Sequence, residues 1–395
     1  MKICMLTTDY LPNIGGIAAH VHNLSAALAE LGHEVVVVNP VARDDESIEQ
    51  SQSDGFSIYR PGVNQSKWTF RNKILRKFLF SQAALRGIRA AEEAFGRFDV
   101  IHQHDYQDTT HAAAKHKSVS TWVWTNHSSR FLRDFERPAK MALIRKTYSG
   151  VSGVITVSEE LLQKTQKLLP RNTITYIANG VNTKLFHEGV SVNRADFGLS
   201  EQDLVVLCPR RMAKKNGVLY LAKAVEQVLK EPSNVSWKFV FLGSTEAVNT
   251  HHEYIHEIKQ LLKPFEESGQ VKYLGNVPME QMPAVNALAD IIMMPSLMEA
   301  VSLSALEGMA SRKALVVSEV GGLPEIVKHE KTGLLVPPKD PDAISKALIR
   351  LGADPHLRSQ LAQAGQALAQ ADYSWLAVAE RTLDFYKQLS EDSRS

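Results

Sequence analysis

Apolar and polar positions along the chain fall into two repeats of one pattern. Lys2–Thr7 is a short apolar run followed by the Pro- and Gly-bearing loop DYLPNIGG. Ile17, Val21, Leu24, Leu28 and Leu31 then recur at helical spacing up to Gly32, which predicts a helix over 17–31. Glu34–Asn39 reads EVVVVN, the continuous β-branched run expected of a buried parallel strand. Asp99–His104, Thr121–Asn126, Gly153–Ser158 and Thr173–Ile177 are further strand-like runs with helical stretches between several of them. The pattern restarts with Leu204–Pro209, Lys238–Leu242, Val271–Leu274, Asp290–Met294 and Ala314–Val317. Such alternation predicts an α/β protein of two tandem Rossmann-like domains with an inter-domain cleft. Ala178–Ser200 is Gly- and Asn-rich without periodicity and is read as the hinge, giving domains 1–185 and 186–373. The last five residues, EDSRS, read as a frayed tail.

Composition narrows the class. The chain has 395 residues, 44% of them hydrophobic and 22% charged, with a net charge of +2. That balance excludes a disordered or disulfide-scaffold chain and speaks against bulk nucleic-acid binding. Cys4 and Cys208 are the only cysteines, and each lies in an apolar run. Two lone thiols point to a reducing, cytoplasmic setting. No apolar run approaches the roughly 20 residues that span a bilayer.

Three segments carry candidate chemistry. Gly15–Gly16 lies between the first strand and the first helix, where glycine admits a ligand to the backbone and to free helix N–H groups. It is not a dinucleotide G-x-G-x-x-G fingerprint. CPRRMAKKNG, Cys208–Gly217, places Arg210, Arg211, Lys214 and Lys215 directly after a strand, where they would receive a diphosphate. In PSLMEAVSLSALEG, Pro295–Gly308, Glu299 stands in a loop and Glu307 eight positions later on the following helix. The N–H groups of Val301, Ser302 and Leu303 open that helix, where its dipole favours phosphate oxygens. Taken alone, Gly15–Gly16 reads equally as a packing turn and the basic loop as a solvated turn; for Pro295–Gly308 the strand–loop–helix context and the basic loop upstream weigh against an ordinary charged helix start.

These blocks, with LAELGHEVVVV, DVIHQH, TNHS at 125–128, IANGVNTKLF, YLGNVP at 273–278, EVGGLPEIV and TGLLVPP, resemble the retaining GT-B glycosyltransferases of family 4, along nearly the whole chain. The resemblance implies transfer of a sugar from a nucleotide diphosphate sugar to an acceptor hydroxyl with retention and without metal or other cofactor. It implies that Gly16 faces the donor diphosphate and acceptor, and that His127 projects toward the transferred sugar. Arg211 and Lys215 would hold the diphosphate, with Arg210 an alternative to Arg211. Glu299 would bind hydroxyls of the donor sugar, Glu307 the ribose, and the backbone around Val277 the base. YSWLAVAERTLDFYKQL resembles the family's closing helix, so that about 374–395 would cross back onto the first domain. Family frequency favours a UDP-sugar over GDP-mannose. The acceptor would be a glycan, a lipid-linked or a small molecule. The alternatives are a catalytically idle nucleotide-sugar-binding subunit and another GT-B enzyme such as a phosphorylase. The chain departs from the family at E-A-V-S, where E-G-F-G is usual, so Val301 and Ser302 would narrow the sugar pocket; Asn182 replaces an acid.

Three features remain. Asp340 and Asp342 form a D-x-D that opens a helix after GLLVPP and is read as a cap rather than a metal site. His102, His104, His111, His116 and His127 are close in sequence, but no third converging ligand is evident, so they are read as polar lining. Arg60, Lys67, Arg71, Lys73, Arg76, Lys77, Arg86 and Arg89 occur without an acid between Gly55 and Ala91, interleaved with Trp68, Phe70, Ile74, Leu75, Phe78, Leu79 and Phe80. Residues 60–89 read either as a basic amphipathic helix lying on an anionic membrane, at its cytoplasmic face, or as a domain helix with a solvated face.

Overall fold

A computed structural model describes the chain except residues 13–14, 68–72, 107, 117–120, 128, 171, 244–251, 300–301 and 393–395. It forms two compact units: 1–180 with 375–395, and 181–374.

The first unit is built on a sheet of β1 (Lys2–Leu6), β2 (Glu34–Val38), β3 (Val41–Arg43), β4 (Ile48–Ser53), β5 (Phe56–Asn64), β6 (Val100–Gln103), β7 (Thr121–Asn126), β8 (Gly153–Thr156) and β9 (Thr173–Tyr176). Its order is β3-β5-β2-β1-β6-β7-β8-β9, parallel except for β4, which runs antiparallel on β5. The central strands are buried because apolar residues occupy both faces; Ile3, Cys4, Met5 and Leu6 are 0% exposed. The helix Gly16–Glu30 buries Val21, Leu24 and Leu28, and the helix Trp375–Asp392 packs into the same core with Val378, Tyr386 and Leu389. Glu391 and Asp392 continue that helix, so the expected fraying does not begin there.

The second unit holds β10 (Asp203–Cys208), β11 (Ser236–Leu242), β12 (Val271–Gly275), β13 (Ile291–Met294), β14 (Ala314–Ser318) and β15 (Leu334–Val336) in the all-parallel order β12-β11-β10-β13-β14-β15. This is the doubly wound arrangement in which strand order reverses between the first and fourth strands and ligands bind beyond the carboxyl ends there. In the second unit that reversal falls between β10 and β13, and in the first between β1 and β6.

Two differences from the sequence pattern have physical causes. The apolar pattern does not mark β3, β4 and β5. IEQSQS on β4 is polar and largely exposed, and β5 contains Pro61 and Gly62, which suit the margin of a sheet. The stretch 60–89 is not one helix: Arg60 lies on β5, and the helix runs Lys73–Phe95. Trp68, Phe70 and Arg71 lie outside the described residues. Among the described residues no helix is long and apolar enough to cross a membrane.

Candidate functional site

Each unit gathers polar side chains at the carboxyl ends of the strands where its order reverses. In the second unit, the loop after β10 and the loop after β13 are locked together. The Lys215 carbonyl accepts from Leu297 N at 2.9 Å and from Met298 N at 3.3 Å. Gly217 sits at φ +66°, where a Cβ would come within 1.8 Å of the Pro295 carbonyl oxygen. Gly321, at φ +53°, lies equally tight on the Glu299 backbone, a Cβ falling 1.6 Å from the Glu299 carbonyl oxygen. Only glycine allows such approaches at left-handed dihedrals. The Gly322 N–H donates to that same Glu299 carbonyl at 3.3 Å.

This framework fixes an ion pair between Arg210 and Glu299, each with a side chain 14% exposed. Asn216 supports it: its Oδ1 lies 3.4 Å from Arg210 Nη2, and its Nδ2 donates to the Arg211 carbonyl at 2.8 Å. Arg210 Nε is buried without a partner, so the guanidinium keeps donor capacity to spare. Burial pushes the Glu299 carboxyl above its ordinary range, against the opposing pull of Arg210 and Lys215. Of the two arginines left open by the sequence, Arg210 therefore makes the Glu299 contact, while Arg211 is exposed. Lys215 is exposed as well, close enough to act on the Glu299 charge.

Ser302 caps the helix Leu303–Ala310, its Oγ accepting from Ala305 N at 3.3 Å. Leu303 is the first helical residue; Val301 lies outside the described residues. Glu307 is on the same helix, half-buried, and burial raises its carboxyl to about 7. No hydrogen-bond partner holds that carboxylate among the described residues. Val277 stands in the turn after β12, half-buried. Asp340 is the N-cap of the helix Pro341–Ala353, accepting from Ala343 N at 2.9 Å, and Asp342 accepts from Gln227, so the D-x-D holds a cap and a surface contact.

In the first unit, Gly15 caps and Gly16 opens the helix Gly16–Glu30, and a Cβ at Gly16 would meet open space. One turn on, His20 is 4% exposed and meets His104, after β6, and His127, after β7. Sequence spacing did not single out His20; its only signal is its place one turn after Gly16. The pairing of β1 with β6 and of β6 with β7 brings the three together. His20 Nδ1 lies 2.9 Å from Asn179 Oδ1, and since an amide oxygen only accepts, the imidazole donates there. His104 Nδ1 and His127 Nε2 are 3.2 Å apart. His102, fully buried, bridges Thr125 Oγ1 and the Tyr386 hydroxyl at 2.5 Å each. His111 is exposed, and the side chain of His116 is outside the description.

Burial drives the imidazoles of His102, His104 and His127 well below 6.5, and that of His20 to about 4. The cluster is therefore neutral at pH 7, able to donate and accept hydrogen bonds but not to balance an anion. One ligand nitrogen from each of His20, His104 and His127 lies within 4.8 Å of the other two, a spacing from which a transition metal ion could be held. The convergent third histidine that the sequence left unidentified is thus His20.

Comparison with known proteins agrees with this architecture. The glycosyl transferases group 1 family model matches residues 190–368, and the Glycosyltransferase Family 4 model matches 14–185. An uncharacterized glycosyltransferase of Methanocaldococcus jannaschii is 29% identical, covering 98% of both chains. Among solved structures, sucrose-phosphate synthase from Thermosynechococcus elongatus superposes with a TM-score of 0.75 at 23% identity, covering 99% of this chain and 100% of that one. HepE from Anabaena, in complex with UDP, does so with a TM-score of 0.74 at 17% identity, covering 98% and 100%.

Proposed function

The chain belongs to the GT-B glycosyltransferases of family 4, and from that premise we propose that it transfers a sugar, with retention, from a UDP-sugar to an acceptor hydroxyl in glycan, glycolipid or small-glycoside biosynthesis. The observation that carries the reading is the Arg210–Glu299 pair, held at the strand-order reversal of the second unit beside Lys215 and a capped helix start. A nucleoside diphosphate needs cations and N–H donors; a sugar and a ribose need carboxylates. The second unit supplies both within one loop framework. The UDP bound by HepE supports uracil as the base.

In this mechanism Arg210, Lys215, the exposed Arg211 and the N–H groups around Ser302 and Leu303 hold the diphosphate. Val277 flanks the base, and Glu307 accepts from the ribose hydroxyls. Glu299 accepts from the donor sugar. As the bond from the anomeric carbon to the phosphate oxygen breaks, negative charge grows on the diphosphate, and the fixed cations stabilise it without a metal ion. The acceptor oxygen forms its bond to the anomeric carbon on the face the diphosphate leaves. Its proton passes to a phosphate oxygen of that leaving group. Gly16 leaves its backbone open to the substrates, and neutral His127, held by His104, hydrogen-bonds sugar hydroxyls.

A cytoplasmic enzyme working at the inner membrane face accords with two free, buried thiols and with the helix Lys73–Phe95. Ile74 and Phe78 on that helix are 83% and 52% exposed, one turn apart, beside Arg76 and Lys77. Ile74→Asp with Phe78→Asp should abolish co-sedimentation with anionic vesicles; wild type that ignores such vesicles at low salt removes the membrane reading. The central test is nucleotide stabilisation followed by transfer. UDP should raise the melting temperature more than GDP or ADP by mass action, and UDP-sugar turnover should persist in excess EDTA. Loss of turnover in EDTA, restored by Mg²⁺ or Mn²⁺, refutes the metal-free mechanism.

A further inference from the structure

A polar cavity lies wholly within the first unit, and none of His20, His104 and His127 lines it. Its volume is about 510 Å³, and Tyr10, Asn39, Arg43, Glu49, Arg60 and Arg76 line it. Three guanidinium groups face one carboxylate, and that carboxylate is taken: Glu49 is paired with Arg43. Arg60 is the cross-strand neighbour of Glu49 in the β4–β5 register, yet its own bonds go to neutral acceptors. Its Nη1 donates to Ser51 Oγ at 3.0 Å, and its Nη2 to the Leu11 carbonyl at 3.4 Å. Its guanidinium carbon lies 5.9 Å from the centre of the Tyr10 ring. Arg76 rests on the face of Phe80 at 5.2 Å. Among the described residues no carboxylate contacts Arg60 or Arg76.

We propose that this cavity binds the phosphate group of the acceptor substrate. Two arginines are held in place by a hydroxyl, a carbonyl and aromatic faces; Arg60 acts on the Glu49 charge only at a distance, and among the described residues neither guanidinium is ion-paired with a carboxylate. That is what bidentate recognition of a phosphate oxyanion requires. A neutral polyol would instead be met by free carboxylates and amides; here the single lining carboxylate is engaged by Arg43, and the Asn39 amide donates to the Thr7 carbonyl at 3.0 Å. The volume suits a small phosphorylated sugar or polyol, or the same group on a lipid headgroup. The donor diphosphate has its own cations, Arg210 and Lys215, in the second unit. The assignment of this phosphate to the acceptor rests on the glycosyltransferase reading; the existence of the anion site does not.

Calorimetry on the full chain tests it with four probes: glucose, glucose 6-phosphate, and phosphatidylcholine vesicles carrying equal proportions of either phosphatidylserine or phosphatidylinositol. Either glucose 6-phosphate binds at least tenfold tighter than glucose, or the phosphatidylinositol vesicles bind at least tenfold tighter than the equally charged phosphatidylserine vesicles. The first outcome assigns a soluble phosphate and the second a lipid headgroup. In both, Arg60→Gln and Arg76→Gln should each weaken binding by tenfold or more while UDP affinity is unchanged. Among the described residues the Arg76 side chain makes no hydrogen bond, so its variant keeps the test valid if Arg60→Gln does not fold. Phosphate probes that bind no better than glucose and the phosphatidylserine vesicles, or binding that survives both substitutions, overturn the proposal. A protein that binds glucose 6-phosphate through Arg60 and Arg76 but ignores UDP keeps the pocket and loses the donor reading.

Discussion

Glu307→Gln separates what the second unit gains for function from what it loses in stability. Burial alone raises this carboxyl from 4.5 to about 7. The folded chain therefore binds an extra proton between those two pH values, and the unfolded chain does not. Wild-type stability must fall as pH rises through that window, because above pH 7 the folded state holds a desolvated carboxylate with no hydrogen-bond partner among the described residues. The displacement corresponds to about 3 kcal/mol, fully expressed above pH 7 and absent below pH 4.5. Glutamine keeps the shape of the protonated acid and never ionises. The variant should be more stable than wild type by about 3 kcal/mol at pH 8, and by about 1 kcal/mol or less at pH 5. For a unit of this size that is a rise in melting temperature of roughly 5–10 °C at pH 8. Urea or thermal unfolding without nucleotide, at both pH values, reads the difference. A gain of the same size at pH 5 and pH 8, or a loss at pH 8, refutes the argument that an ionised Glu307 strains the fold. The functional counterpart is weaker UDP binding with turnover largely spared, because the ribose changes little during reaction.

Lys215→Ala removes a cation facing charge that grows in the transition state. It should lower turnover about a hundredfold, on the order of 3 kcal/mol, with smaller effect on UDP affinity by calorimetry; an unchanged turnover rejects the role. Gly321→Ala forces a Cβ onto the Glu299 carbonyl at a left-handed φ, so denaturant unfolding should report a loss on the order of 3 kcal/mol. Tyr386→Phe leaves His102 Nδ1 without its partner inside the core and should cost about 1–3 kcal/mol, which equal unfolding midpoints would contradict. The buried histidines titrate below 6.5, so the unfolded first unit takes up protons that the folded one refuses, and its stability is lost as pH falls from 6.5 toward 4. Hydrogen exchange at pH 5 should therefore show amides of 1–180 opening relative to pH 7.5 more than those of 181–374; the reverse order would be decisive against it.

What the sequence determined by itself is whatever one continuous segment carries. β2 and β7 are legible because EVVVV and TWVWTN are apolar on both faces, which only a doubly covered parallel strand tolerates. The strand, Glu299, Ser302 and Glu307 are legible together because the anion-binding helix start is local: β13, its loop and its helix are contiguous in the chain. The tertiary structure decided what joins distant segments. Arg210 and Glu299 are 89 positions apart and meet because β10 pairs with β13; nothing within either loop chooses Arg210 over Arg211. His20 looks like one more residue on a helix until β1, β6 and β7 bring His104 and His127 against it. Arg60 and Arg76 of the first-unit cavity read in sequence as parts of one basic stretch. Folding places Arg60 on a strand and Arg76 on a helix, around a hollow whose carboxylate Arg43 already occupies. Local periodicity reports which face of an element is buried. Which partners share a site depends on strand order and register, and those are set by long-range pairing that no short window of sequence contains.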